Sequence, residues 1–151
     1  MRKLIMLMLI VVITSACSSN KSLFNSYSLD RKDLPEAARE MLDEYFPKAK
    51  VGMIKVDRHL LKKTDYDVRL VNGTTIEFSN SGKWKSVDCK SREVPQGLVV
   101  RPIRNYVAKN CNGAKIVRIA KKSSGYVIGL SDGIELNFNL LGQIKNVKLE
   151  E

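Results

Sequence analysis

The sequence predicts an α+β fold, a tandem duplication of one helix plus a four-stranded antiparallel sheet, with both helices on one face of the sheet. Three observations predict it. First, the chain resembles itself at a shift of 60: Tyr66 meets Tyr126, Leu70 meets Leu130, Gly73 meets Gly133, Phe78 meets Phe138, Gly82 meets Gly142, Lys85 meets Lys145 and Val87 meets Val147. That is seven identities between residues 66 and 88, where average composition gives about one or two. Second, short runs alternate apolar and polar residues with period two, and Gly-containing turns separate them. Third, a proline precedes each of two stretches whose apolar residues recur at helical spacing.

The chain opens MRKLIMLMLIVVITSAC. Arg2 and Lys3 make a positive start, and residues 4–13 are an unbroken apolar run of ten. A bilayer span needs ~20 such residues; this run suits the apolar core of a secretory signal. Thr14, Ser15 and Ala16 are small, and Cys17 follows. This end resembles a bacterial lipobox, with Thr14 in the usual leucine place and Ile13 one step earlier. It implies a signal peptide over 1–16 and diacylglycerol on Cys17, in a lipoprotein facing the periplasm. The alternative is ordinary cleavage after Ala16 and a soluble periplasmic product. Residues 17–32 are rich in Ser and Asn, lack either period, and read as a flexible tether.

The first unit spans 33–92. Pro35 opens a helix whose stripe is Ala38, Leu42, Tyr45 and Phe46, and Pro47 stops it. Glu36 and Glu40 suit its N-terminal end. A loosely patterned strand follows at about 53–60. Tyr66, Val68 and Leu70 then alternate with Asp67 and Arg69, as in a half-buried strand. Asn72-Gly73 predicts a type I′ hairpin with positive φ at both residues. Thr74, Ile76 and Phe78 alternate again, Asn80-Ser81-Gly82 turns the chain, and 83–89 is the next strand. The second unit spans 93–151. Pro95 plays the opening role of Pro35, and Val56 meets Ile116. Val99, Ile103, Tyr106 and Val107 form the stripe; Pro102 inside it kinks the helix or splits it into a short turn and a helix from about Arg101. Strands follow at 114–120, 126–130, 134–138 and 144–149.

Lys and Arg number 26 against 16 Asp and Glu, a net +10; without Arg2 and Lys3 this is 24 − 16 = +8. Such a surface favours anionic partners, and export takes nucleic acid off that list. His59 is the sole histidine, among cations in DRHLLKK, and reads as an exposed strand residue. No nucleophile elbow, HExxH or zinc-spaced Cys/His cluster occurs, so neither catalytic residues, metal nor cofactor are assigned. With Cys17 lipidated, Cys89 and Cys111 remain. An oxidising compartment favours pairing them, but a helix of ~14 residues between them spans ~21 Å against a ~7 Å limit, which favours two separate thiols. Trp84 aligns with Ile144 and reads as a core-edge residue.

The run LPEAAREMLDEYFP, then YDVRLVNGTTIEFSNSGKWKSVDC, then VPQGLVV and IRNYVAKN resembles the PepSY-like family of small exported bacterial proteins, fold relatives of the β-lactamase inhibitor protein. The resemblance covers about 34–147. It implies a helix-plus-sheet domain whose open sheet face grips another protein or peptide, with restraint of a peptidase as one form of that role. The face opposite the core carries Asp67, Arg69, Thr75, Glu77 and Ser79, then Val127, Gly129, Ser131, Glu135 and Asn137. It lacks the aromatic anchors of tight inhibitors. The leading expectation is a non-enzymatic envelope lipoprotein binding a protein or peptide. The alternative is a binder of anionic glycan or lipid through Lys62, Lys63, Lys83, Lys85, Lys121 and Lys122.

Overall fold

A computed structural model describes residues 26–57 and 64–149. The leader, Cys17, His59, Lys62 and Lys63 lie outside the described residues.

Proline placement fixes both helices. Pro35 caps α1 (Glu36–Tyr45), and Ala38, Met41 and Leu42 turn one stripe inward. The Phe46 amide bonds back to Leu42 O and closes α1 before Pro47. Pro95 does not open the second helix. It caps a separate 3-10 turn, Gln96–Leu98, and α2 (Arg101–Asn110) starts afresh with Pro102 in its first turn, where a missing N–H needs no partner. The split at Arg101 is therefore as the sequence indicates.

Among the described residues nine strands form one sheet: β1 (Ser26–Ser28), β2 (Val51–Asp57), β3 (Asp65–Leu70), β4 (Thr75–Phe78), β5 (Trp84–Asp88), β6 (Ile116–Lys122), β7 (Gly125–Leu130), β8 (Ile134–Phe138) and β9 (Ile144–Leu149). They lie side by side in chain order, each antiparallel to the next. One row of directly opposed aliphatic residues crosses it: Ile54, Val68, Ile76, Val87, Ile119, Ile128, Leu136 and Val147. All but Val147 are buried in a single core with Ala38 and Leu42 of α1 and Ile103 and Val107 of α2. Tyr106 of α2 meets Phe138 edge to face, with ring centroids 5.4 Å apart.

The expected architecture of tandem helix-plus-four-strand units is corrected by this sheet. Ser86, Val87 and Asp88 of β5 pair with Ala120, Ile119 and Arg118 of β6. The physical reason is the edge: a four-stranded unit ending at β5 would leave the outward N–H and C=O groups of that strand unpaired and Val87 without a neighbour on the side away from Ile76. A further strand, β1, comes from the segment read as a tether, and Ser26, Tyr27 and Ser28 pair with Val56, Lys55 and Ile54.

Two local expectations also change. Val56 does not correspond to Ile116: Val56 faces Tyr66, whereas Ile116 faces Leu130 as Val51 faces Leu70. Phe46 and Cys111, 111 − 46 = 65 apart, both end their helices by bonding back to a carbonyl four residues earlier. The shift is thus 65 up to β2 and β6 and 60 after them. The difference lies in the β2–β3 connection, seven residues against two between β6 and β7. Nor is the Asn72-Gly73 turn type I′. Only Gly73 has positive φ, at 88°. The Gly73 amide donates to Leu70 O at 2.9 Å and Asn72 Oδ1 accepts from the Thr74 amide at 3.0 Å, so one left-handed residue suffices.

Candidate functional site

Because α1 and α2 both pack on the face bearing the aliphatic row, the alternate residues of each strand form an open face. Asp67 opposes Glu77 and Arg69 opposes Thr75 there. Val127 opposes Asn137 and Gly129 opposes Glu135. Ser131 is not among them: it lies past the end of β7, and its hydroxyl accepts the Lys115 amide at 3.0 Å.

Register also brings in residues the sequence reading did not place. In the first half Lys85 Nζ bridges Asp65 at 3.0 Å and Glu77 at 2.8 Å. Lys55 reaches Asp57 at 3.4 Å, and Ser86 donates to Glu77 at 3.2 Å. A shallow cavity of about 340 Å³ lies among Met53, Lys55, Asp67, Arg69, Thr75, Glu77 and Ser86. Burial, then the nearby Glu77 carboxylate, push the Asp67 carboxyl above its ordinary range, against the pull of Lys55. The hydrogen bond to Glu77 leads the causes that raise Lys85. In the second half Arg118 donates to Glu135 at 3.0 Å. It crosses β7 at Gly129, where a Cβ would come within 3.0 Å of Arg118 Nε. A glycine at an outward strand position was the available signal for that crossing; the ion pairs of the first half depend on strand register and had none.

The candidate lysines among the described residues do not converge. Lys85 is held on the open face by its carboxylates, and Lys122, opposite Gly125, alternates with Lys121. Lys121 lies on the helix side, its Nζ 3.5 Å from the centre of the half-buried Trp84 ring, and desolvation lowers its pKa. Lys83 is exposed at the β4–β5 turn. Cys89 and Cys111 are free thiols, the first buried, and burial raises both pKa values. Among the described residues no group of three His, Cys, Asp or Glu could hold a metal ion, and no helix is long and apolar enough to cross a membrane.

The fold and face define a class: an α+β module built on one long antiparallel sheet, with helices on one side and an ion-paired polar face on the other. The chain belongs to the PepSY-like family, whose model, described as beta-lactamase-inhibitor-like, PepSY-like, matches residues 64–146. A Bacteroides vulgatus protein described as periplasmic and of unknown function is similar at 35% identity and a TM-score of 0.78, over 82% of this chain and 98% of that one. A Bacteroides thetaiotaomicron protein described as calcium-regulated and periplasmic matches at 28% identity and a TM-score of 0.77, over 82% and 96% of the two chains. A second B. vulgatus protein described as periplasmic matches at 31% identity and a TM-score of 0.77 over the same shares. No curated protein matches the chain.

Proposed function

We propose that this protein is a non-enzymatic binding module of the periplasm, held to the membrane by lipid on Cys17, that docks another envelope protein or peptide on its open sheet face. The observation that carries the reading is the sheet covered, among the described residues, by helices on one side only. On the other, Lys85, Glu77, Asp65, Arg118 and Glu135 are fixed by mutual ion pairs. Side chains already immobilised lose little entropy when a partner arrives. The periplasmic description of the structural relatives supports the location. Restraint of a peptidase is the form of binding that the family likeness favours. The division of Lys85 and Lys121 between two faces gives no support to a single anionic-glycan or lipid site.

The test is crosslinking in intact cells, comparing the native chain with a variant carrying Arg69→Glu and Glu77→Lys. The expected outcome is a discrete crosslinked protein that the variant loses while still folding. Equal capture by both chains would overturn the assignment of the open face. Metabolic labelling with palmitate, lost in Cys17→Ala, tests the anchor.

A further inference from the structure

The aliphatic row ends abruptly. Its members from β2 to β8 are at most 2% exposed, whereas Val147 on β9 is 56% exposed. The next inward residue, Leu149, is 80% exposed, and Ile144 at the start of the strand is 37% exposed. β9 is the last strand of the sheet, so its outer edge has no strand beside it among the described residues.

An inner strand of the same sheet shows what a cover for such an edge looks like. Val87 of β5 and Cys89, just past its end, occupy the places that Val147 and Leu149 occupy in β9, and they are 0% and 2% exposed. The difference is β6, which sets Ile119 opposite Val87, Arg118 opposite Asp88 and Ala120 opposite Ser86. In β9 the corresponding residues are Val147, Lys148 and Asn146, so the apolar requirement is kept and the charge is inverted.

We infer that the edge of β9 accepts an extended segment of a partner polypeptide, added antiparallel as a tenth strand in the manner of β6 on β5. The segment carries an aliphatic residue opposite Val147, Asp or Glu opposite Lys148, and a small polar residue opposite Asn146. Main-chain hydrogen bonds supply affinity that does not depend on sequence, and the three side-chain positions supply selection. The charge pattern favours an acidic partner over a second copy of this chain. Pairing two β9 edges with Val147 opposite Val147 sets Lys148 against Asn146 and leaves it without a carboxylate, and the register with Val147 opposite Leu149 sets Lys148 against Lys148, where like charges directly opposed are destabilising. This inference rests on the reading of the protein as a binder of polypeptide and names a different surface for part of that contact.

The test uses the full chain and two blocked, fluorescein-labelled peptides, Ser-Val-Glu-Ile-Ser-Val and the same peptide with Lys in place of Glu, read by fluorescence anisotropy. The Glu peptide is expected to bind at least tenfold more tightly than the Lys peptide. Lys148→Glu inverts that preference. Val147→Asp weakens the Glu peptide at least tenfold with an unchanged urea midpoint, since this position is already exposed. Equal binding of the two peptides, absence of binding, or indifference to Val147→Asp each overturns the inference. So does self-association that Val147→Asp abolishes and the Glu peptide does not compete, which assigns the edge to a second copy. Binding to phosphatidylglycerol vesicles that requires Val147, with no peptide binding, assigns it to a membrane and also overturns it. The open-face double variant keeps the peptide affinity of the native chain. If the peptides fail while that variant still loses its crosslinked partner, the edge is wrong and the binding module stands; if both fail, both readings fall.

Discussion

Two aspartates at outward positions titrate in opposite senses, and the sign decides what each does for stability. Burial and Glu77 raise the Asp67 carboxyl above its ordinary 3.8. The folded state therefore holds this proton more tightly than the unfolded chain, and ionising Asp67 at neutral pH costs stability. Asp67→Asn should raise the urea midpoint at pH 7, and the gain should close as pH falls below about 3.8. Asp88 behaves in reverse. Burial works against its ionisation, but the Lys90 side chain and amide hold the carboxyl below its ordinary range. Its contribution is present above the unfolded pKa and is lost as pH falls through the folded value. Asp88→Asn should lower the midpoint at pH 7, with the deficit narrowing toward pH 3. Gly125 tests backbone constraint in the same way. Its φ is +141°, and a Cβ there would lie 1.9 Å from Phe138 O. Because the obstacle is backbone and cannot rotate aside, Gly125→Ala should cost more than about 3 kcal/mol in chemical denaturation.

At the scale of elements, β5 and β9 share an alternation and a valine at the same place, yet only one is core. Val87→Ala removes methyl groups from a fully covered site and should cost about 2 kcal/mol. Val147→Ala should stay within about 0.5 kcal/mol, measured by the same urea titration. Similar costs at the two positions would mean that β9 is covered in solution. The contrast also shows what the sequence could not carry. Period two names the inward side of a strand, and it did so for Val68, Ile76, Ile128 and Leu136. Whether that side is buried depends on the next strand over. β1 was missed for a related reason: Ser26, Tyr27 and Ser28 carry no apolar alternation, and the pairing with Ile54 and Val56 is made across the intervening α1. The open face was legible as a set of outward positions in β3, β4, β7 and β8. Its ion pairs were not, because Lys85 reaches Asp65 only once β3, β4 and β5 lie in register.

At the scale of the molecule, the pairing of β5 with β6 makes one cooperative structure out of two similar stretches of sequence. Val87 and Ile119 face each other in the middle of the aliphatic row, and α1 and α2 contribute to the same core. Two independent units would melt separately, each answering only to mutations within it. A continuous row lets a cavity at one place lower the stability of every strand together. Trp84 is the sole tryptophan and sits in β5, while Leu136 lies in β8 and is 2% exposed. Leu136→Ala should cost about 2–5 kcal/mol. The shift in urea midpoint reported by Trp84 fluorescence should equal the shift reported by far-UV circular dichroism, with a single transition in each. A Trp84 transition left in place while the circular dichroism moved would divide the sheet at β5–β6 and restore independence to its halves. Coincidence of the two would assign the stability of every strand to the sheet as a whole, so that a partner adding a strand at β9 would also stabilise β5, several strands away, by mass action.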